Sequence, residues 1–283
     1  ISAVSLANNH IADYGKKGIQ ETIELLEKAG IKWFGVGGKA LKLLLNGERL
    51  SISGFCCYST NGTHYGGKNG VNLLTRNNME KQLKQDKSKG ALSIIEVHWG
   101  MEHTNYPAYE HIQLMHNLMH KYNGIICGHH PHIVQGIEKI NQSVVAYSLG
   151  NCLFDTCISQ NKKLKVELNE DNRKGFIWSI NVAHQRSLES EIKGFYIGKE
   201  GIEAFDIKKE LKEISEPLQN IKDIKQYEAI RQKQFQRVIQ NKFGKHDLKW
   251  LINRMNYYAI GARIMGAIRK KQYQREAGHF ING

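Results

Sequence analysis

No apolar run in this 283-residue chain exceeds a few residues, so no stretch of it can cross a bilayer as a helix, which takes about 20. The five cysteines (Cys56, Cys57, Cys127, Cys152, Cys157) are odd in number and show no C-x-x-C spacing. Neither a disulfide framework nor a cysteine-based zinc site is indicated. Gly66-Gly67-Lys68-Asn69-Gly70 lacks the Gly-Lys-Ser/Thr ending and the following helix of a phosphate-binding loop, and reads as a turn. There is no internal repeat and no low-complexity tract. What is present is ordinary for a globular protein: 41% hydrophobic and 24% charged residues, which argues against wholesale disorder. The chain opens on Ile1, directly into a strand-like sequence, and is expected to be a fragment with any leader or anchor upstream.

Charge is unevenly placed. Residues 206–283 carry 17 Lys and Arg against 8 Asp and Glu, a surplus of +9, whereas residues 1–205 carry only +4 of the total +13. The division falls where the patterning changes. Residues 1–205 alternate strand and helix signals, which points to α/β architecture. Strands are expected at Ala3–Leu6, Lys32–Val36, Leu50–Tyr58, Leu92–Val97, Gly124–Cys127, Ser143–Leu149 and Phe176–Val182, with a hairpin-like region to about Phe205. Helices are expected at about Lys16–Ala29, with Ile19, Ile23, Leu25 and Leu26 at helical spacing, and at about Ala108–Tyr122. From Asp206 onward the chain reads as a basic, mainly helical extension: Pro217 interrupts it, and helices follow at about Lys222–Asn241 and Asp247–Gln272. Such a surface can meet a polyanion or an anionic membrane. It does not read as nucleic-acid binding, because basic and aromatic residues are not arranged as a known reading module.

Histidine is concentrated. Eight of the thirteen lie between His98 and His132, and three of them fall within Gly128-His129-His130-Pro131-His132. Imidazole is the commonest protein ligand for Zn, Mn, Fe and related ions. The run follows the apolar strand Ile125-Ile126-Cys127, and open α/β sheets place ligands at the carboxyl ends of their strands. Two more strand ends deliver metal-capable groups, Asn8-Asn9-His10 and His98. Asp13, Glu102, Asn151 and Asp155 lie near the same ends and can add carboxylate or amide groups; the long loop from Asn61 to Asn72, with His64, can cover them. His116 and His120 stand four apart on a helix but with no nearby acid, so helix-face or core-edge roles are favoured; Trp99 reads as a packing residue.

Four ordered blocks carry a family resemblance. Ser5-Leu6-Ala7-Asn8-Asn9-His10 with Asp13-Tyr14-Gly15, His98-Trp99-Gly100-Met101-Glu102, Gly128-His129-His130-Pro131-His132 with Gln135-Gly136 and Glu138, and Ala146-Tyr147-Ser148-Leu149-Gly150-Asn151 with Phe154-Asp155 resemble the CapA family of capsule and poly-γ-glutamate synthesis proteins. The resemblance spans roughly residues 2–205. It implies a four-layer α-β-β-α sandwich of the calcineurin-like metallophosphoesterase type, two mixed sheets face to face with helices outside. It also implies Asn9 and His98 as metal ligands, further ligands drawn from His129, His130 and His132, and His10 as the group that protonates a leaving oxygen. Asp13, Glu102, Asn151 and Asp155 are candidates to orient such ligands, with Glu102 read equally as a surface acid. Two divalent ions (Mn, Fe or Zn) would activate a hydroxide against a phosphate-containing or anionic polymer substrate. The family's Gly-Asp block, whose Asp helps to bind or bridge the metals, is not found ahead of Asn8, so a first strand is expected to be missing.

The expected role is therefore in synthesis, attachment or export of an extracellular polymer, beside other capsule-synthesis subunits at the cell envelope. The apolar stripe of the last helix (Leu248, Leu251, Met255, Ala259, Ala262 and Met265) is expected to dock on the parent domain, with contact to a membrane surface or a partner helix as the lesser alternative. The alternative is a scaffold subunit that keeps the fold without turnover.

Overall fold

The structure is a computed structural model that describes residues 1–57, 70–154, 157–158, 165–166, 168–182, 188–219 and 221–243, with isolated helical positions at 264, 267, 268 and 271. The expected loop around His64, Asp155 and most of the helix expected at 247–272 lie outside the described residues.

The chain opens with β1 (Ala3–Ser5), α1 (Gly15–Lys28) and β2 (Lys32–Phe34), and β1 and β2 pair in parallel. Ile19, Ile23 and Leu26 of α1 pack on Val4, Leu6 and Val36, whereas Leu25 points to solvent instead of joining that stripe. A stripe of period 3.6 has room for Leu26 or Leu25 at that turn, not both. Gly30 ends the helix in the left-handed region, at φ 70°.

A six-stranded sheet follows, in the order β3-β4-β5-β6-β8-β7. β3 (Leu41–Leu45) and β4 (Glu48–Cys56) form a hairpin through Asn46 and Gly47, both at positive φ (51° and 82°), as a two-residue turn matched to strand twist requires. Next come α2 (Arg76–Ser88), β5 (Leu92–His98), α3 (Tyr109–Met119), β6 (Gly124–His129), β7 (Ile137–Ile140) and β8 (Ser143–Ala146). Strands β4, β5, β6 and β8 run parallel, so their carboxyl ends share one edge. β7 is antiparallel to β8.

The short pair β9 (Cys157–Ile158) and β10 (Lys165–Val166) precedes a second, antiparallel sheet of β11 (Lys174–Val182), β12 (Leu188–Ile197) and β13 (Ile202–Ala204). The chain continues through α4 (Lys208–Ser215), a 3-10 turn at Glu216–Leu218 that contains Pro217, and α5 (Ile224–Phe243).

Alternation along the parallel strands sorts their side chains between two cores. Ile95, Val97, Ile126 and Val145 face Met79 and Leu83 of α2 and Ile112, Met115 and Leu118 of α3. Leu50, Leu92, Ile125 and Cys127 face the other way, onto Trp178, Ile180 and Val182 of β11. The mixed α/β architecture expected from the sequence is therefore present, with a helix layer, the six-stranded sheet and the second sheet stacked in that order. The 206–283 extension is packed onto this body where it is described: Leu211 and Ile214 sit against Val134, Ala146 and Phe176, and Leu218 and Tyr227 join the core under α3.

Candidate functional site

The shared carboxyl edge places the site. Cys56, His98 and His129 lie side by side as the last paired residues of β4, β5 and β6. Trp99, next after β5, is fully buried, stacks on His111 with centroids 4.5 Å apart and donates from its indole Nε1 to the Tyr147 carbonyl at 3.0 Å. It is the packing residue that was expected. That bond explains Gly128: a Cβ there would lie 1.8 Å from the Tyr147 oxygen and 2.8 Å from the Trp99 Nε1. Only glycine lets β6 pass so close before the histidine turn.

The loop after β1 reaches over this edge. Asn8 Oδ1 accepts from the His10 amide at 2.9 Å, forming a local turn, and the next side chain, Asn9, puts Oδ1 3.0 Å from His98 Nε2. His98 in turn meets His130, with ring centroids 4.7 Å apart, and His130 stands 6.2 Å from His132. Three distant segments thus deliver Asn9, His98 and His130 to one place. His10 is mostly exposed, and its Nδ1 lies 2.7 Å from Asp13 Oδ2.

Backbone conformation at the turn is unusual. His130, His132 and His103 have φ values of 98°, 60° and 60°, in the region that L side chains rarely enter. Each such residue costs on the order of 1–3 kcal/mol, and such residues cluster where function demands an orientation that packing alone would not choose. His103 was not singled out from the sequence; its ring lies 6.1 Å from that of His132, and its amide donates to the Pro131 carbonyl at 2.7 Å.

The electrostatics favour uncharged rings. Burial first, then the neighbouring imidazoles, lower His98 to about 2. Burial lowers His130 to about 4, with His132, His10 and His103 adding to it and the Glu102 carboxylate opposing. Both rings are therefore neutral at pH 7, the state a metal ligand requires. The Nδ1 of His130 is buried without a hydrogen-bond partner among the described residues.

His129 is placed differently from its neighbours. It pairs with Glu96, and although burial pushes its pKa down, the charge and hydrogen bond of that carboxylate outweigh burial and raise it. Glu96 was missed in the sequence, yet strand geometry signals it. Period two sets Glu96 and His98 on one face of β5, and His98 is in register with His129 on the neighbouring strand. His132 Nδ1 lies 2.9 Å from Asn151 Oδ1, and Asn151 Nδ2 donates to the Asn172 carbonyl at 2.8 Å. Phe154 meets the His132 ring edge-on at 5.3 Å. Glu102 is half-exposed, 3.8 Å from His103 Nε2.

The expectation that His116 has no nearby acid is corrected by the structure. Its Nε2 lies 2.8 Å from Oε1 of the buried Glu138, whose Oε2 accepts from the Tyr147 hydroxyl at 2.9 Å. Glu138 was read only within its sequence block, because it reaches His116 from β7, 22 residues away.

The donor set tests the metal expectation. Among the described residues no three His, Cys, Asp or Glu side chains are placed to hold one ion, and the nearby carboxylates of Asp13 and Glu96 are engaged by His10 and His129. Two divalent ions need carboxylates to offset their charge, so the described residues do not complete a two-metal centre. The group that does converge, two neutral imidazoles and an amide oxygen with one imidazole nitrogen unused, fits a single transition-metal ion.

A family model described as bacterial capsule synthesis protein PGA_cap matches residues 1–156. The capsule biosynthesis protein CapA of Bacillus anthracis is 31% identical over 166 residues, which is 54% of this chain and 40% of that protein. The PGA biosynthesis protein CapA of Bacillus subtilis (strain 168) is 31% identical over 163 residues, 54% of this chain and 43% of that protein. The chain thus spans about two fifths of the length of these curated relatives. Among solved structures, a 5'-nucleotidase precursor from Thermus thermophilus is similar at TM-score 0.37 and 16% identity, covering 68% of this chain and 38% of that one.

Proposed function

The chain belongs to the PGA_cap family of bacterial capsule synthesis proteins, and from that premise we propose that it serves the synthesis, attachment or export of an anionic extracellular polymer, poly-γ-glutamate or a capsular polysaccharide, with the imidazole cleft as its working site. The observation that carries the cleft's part is the convergence of Asn9, His98 and His130 from three separate segments, with both rings neutral. Its setting would be the cell envelope, beside other polymer-synthesis subunits; among the described residues no helix is long and apolar enough to cross a membrane.

Asn9 Oδ1, His98 and His130 would hold a Mn, Fe or Zn ion, with His132 as a neighbouring imidazole. When bound, such an ion supplies Lewis-acid polarisation of a phosphate-like group and of water. The chain's own residues do the positioning. Asn151 fixes the His132 ring, and Glu96 engages the His129 ring. Asp13 accepts from His10 Nδ1, which leaves the exposed imidazole's Nε2, when the ring carries a second proton, to pass that proton to a leaving oxygen.

The test is elemental analysis of the full-length protein purified without chelators, beside His98→Ala and His130→Ala. The wild type should carry Mn, Fe or Zn and both variants should lose it; a metal-free wild type would overturn the metal part. A scaffold role without turnover is the second reading, favoured by the engagement of the Asp13 and Glu96 carboxylates with histidines. His10→Ala and His132→Ala separate the two: loss of polymer from folded variants supports chemistry, and normal polymer supports the scaffold.

A further inference from the structure

α5 lies beyond the family-matched residues 1–156, yet its inner face grips the loop that leaves the cleft after β5. Gln234 Oε1 accepts from the Asn105 amide at 2.9 Å, and Gln234 Nε2 donates back to Asn105 Oδ1. Glu228 Oε1 accepts from the Tyr109 amide at 3.0 Å, and the Tyr227 hydroxyl donates to the Pro107 carbonyl at 2.8 Å. Loop residues 105 and 107 and Tyr109, the first residue of α3, are thus each held by a side chain of one helix. Buried Arg231 completes that face and pairs with Glu228 at 2.6 Å.

Asn105 does more than receive the helix. Its Nδ2 donates to the Val134 carbonyl at 3.3 Å, two residues past His132. Beside it, the His103 amide donates to Pro131 O and Gln135 Nε2 donates to Thr104 O, both at 2.7 Å. The loop that carries His103 is therefore laced to the turn that carries His130 and His132. Of the residues in this lacing, Asn105 is the one that Gln234 bonds. Covering the core under α3 needs Tyr227, not a two-bond amide pair at Gln234.

We infer that α5 is a positioning element for the cleft, and that Gln234, acting through Asn105, sets how the His103 loop is seated on the His130–His132 turn. The inference rests on the cleft being the working site, but its test needs neither metal nor polymer and so can fail separately. Hydrogen exchange and the imidazole NMR signals of the full chain are compared with those of Gln234→Ala, Gln234→Glu and Tyr227→Phe. In Gln234→Ala, exchange at the His103 and Asn105 amides and across 132–135 should rise about tenfold, as expected for losing a bonded pair. The His103 and His132 imidazole signals should move while those of His10 and His116 stay. Gln234→Glu keeps the acceptor for the Asn105 amide and should move the same signals less. It also decides the matter if the alanine variant does not fold. Tyr227→Phe should lower stability and leave the His132 signals in place. If Gln234 variants leave the His103 and His132 signals unmoved, or Tyr227→Phe moves them equally, α5 is only a cover and the inference is overturned.

Discussion

The Glu138 knot and the cleft at the sheet's edge are both built around histidine, and they differ in how completely their polar atoms are used. In the knot, one buried carboxylate divides its two oxygens between His116 and Tyr147, and nothing about it is left open. At the edge, four imidazoles crowd together, three nearby φ values are positive, and His130 Nδ1 has no partner among the described residues. A sheet's flank excludes water and tolerates polar groups only in closed sets. The edge, unlike the flank, leaves His130 Nδ1 open among the described residues.

The largest effect expected is on the knot. Glu138→Ala strands a buried Tyr147 hydroxyl and removes the partner of His116, and should cost about 3 kcal/mol in denaturant unfolding. A cost below about 1 kcal/mol would erase the distinction between the two regions.

Next is His111, which belongs to neither region. Burial, helped by the Arg231 charge, lowers it to about 3, whereas the unfolded chain titrates near 6.5. The unfolded state therefore binds the extra proton, and stability present above about pH 6.5 is lost as the pH falls toward about 3. His111→Leu should flatten that acid limb relative to the wild type in melts across this range.

The cleft should respond in the opposite sense to the knot. His130→Gly removes the penalty of a positive φ and a buried unpaired nitrogen, and should raise stability by about 1 kcal/mol while abolishing metal retention. A variant that is both less stable and still metal-loaded would break the comparison.

The smallest effect is a slope. The Glu138 bond raises the His116 pKa against the opposing effect of burial. Its contribution is then whole below about pH 6.5 and is lost as the pH rises through its raised folded value. His116→Gln should remove that alkaline slope and leave the acid limb alone.

Much of this was legible beforehand where the signal is local. The apolar runs of β5 and β6 marked the sheet, and Asn8-Asn9-His10, His98 and the His129–His132 run were expected to come together from three strand ends, with the choice among His129, His130 and His132 left open. α2 went unread because its buried side is only Met79, Leu83 and Asp86 on an otherwise polar helix. β7 went unread because Ile137-Glu138-Lys139-Ile140 is too short to declare a period, and its acid was therefore not set beside His116. The assignment of His129 to Glu96 and of Gln234 to Asn105 depends on pairings 33 and 129 residues apart. No window along the chain contains both partners.

One amide near the cleft also settles where a proton sits. Because Asn151 Nδ2 is committed to donating to the Asn172 carbonyl, its other end can only be the accepting oxygen. His132 must then carry a hydrogen on Nδ1, so that any lone pair of the ring resides on Nε2. A backbone carbonyl far along the chain thus dictates the tautomer of an imidazole it never touches.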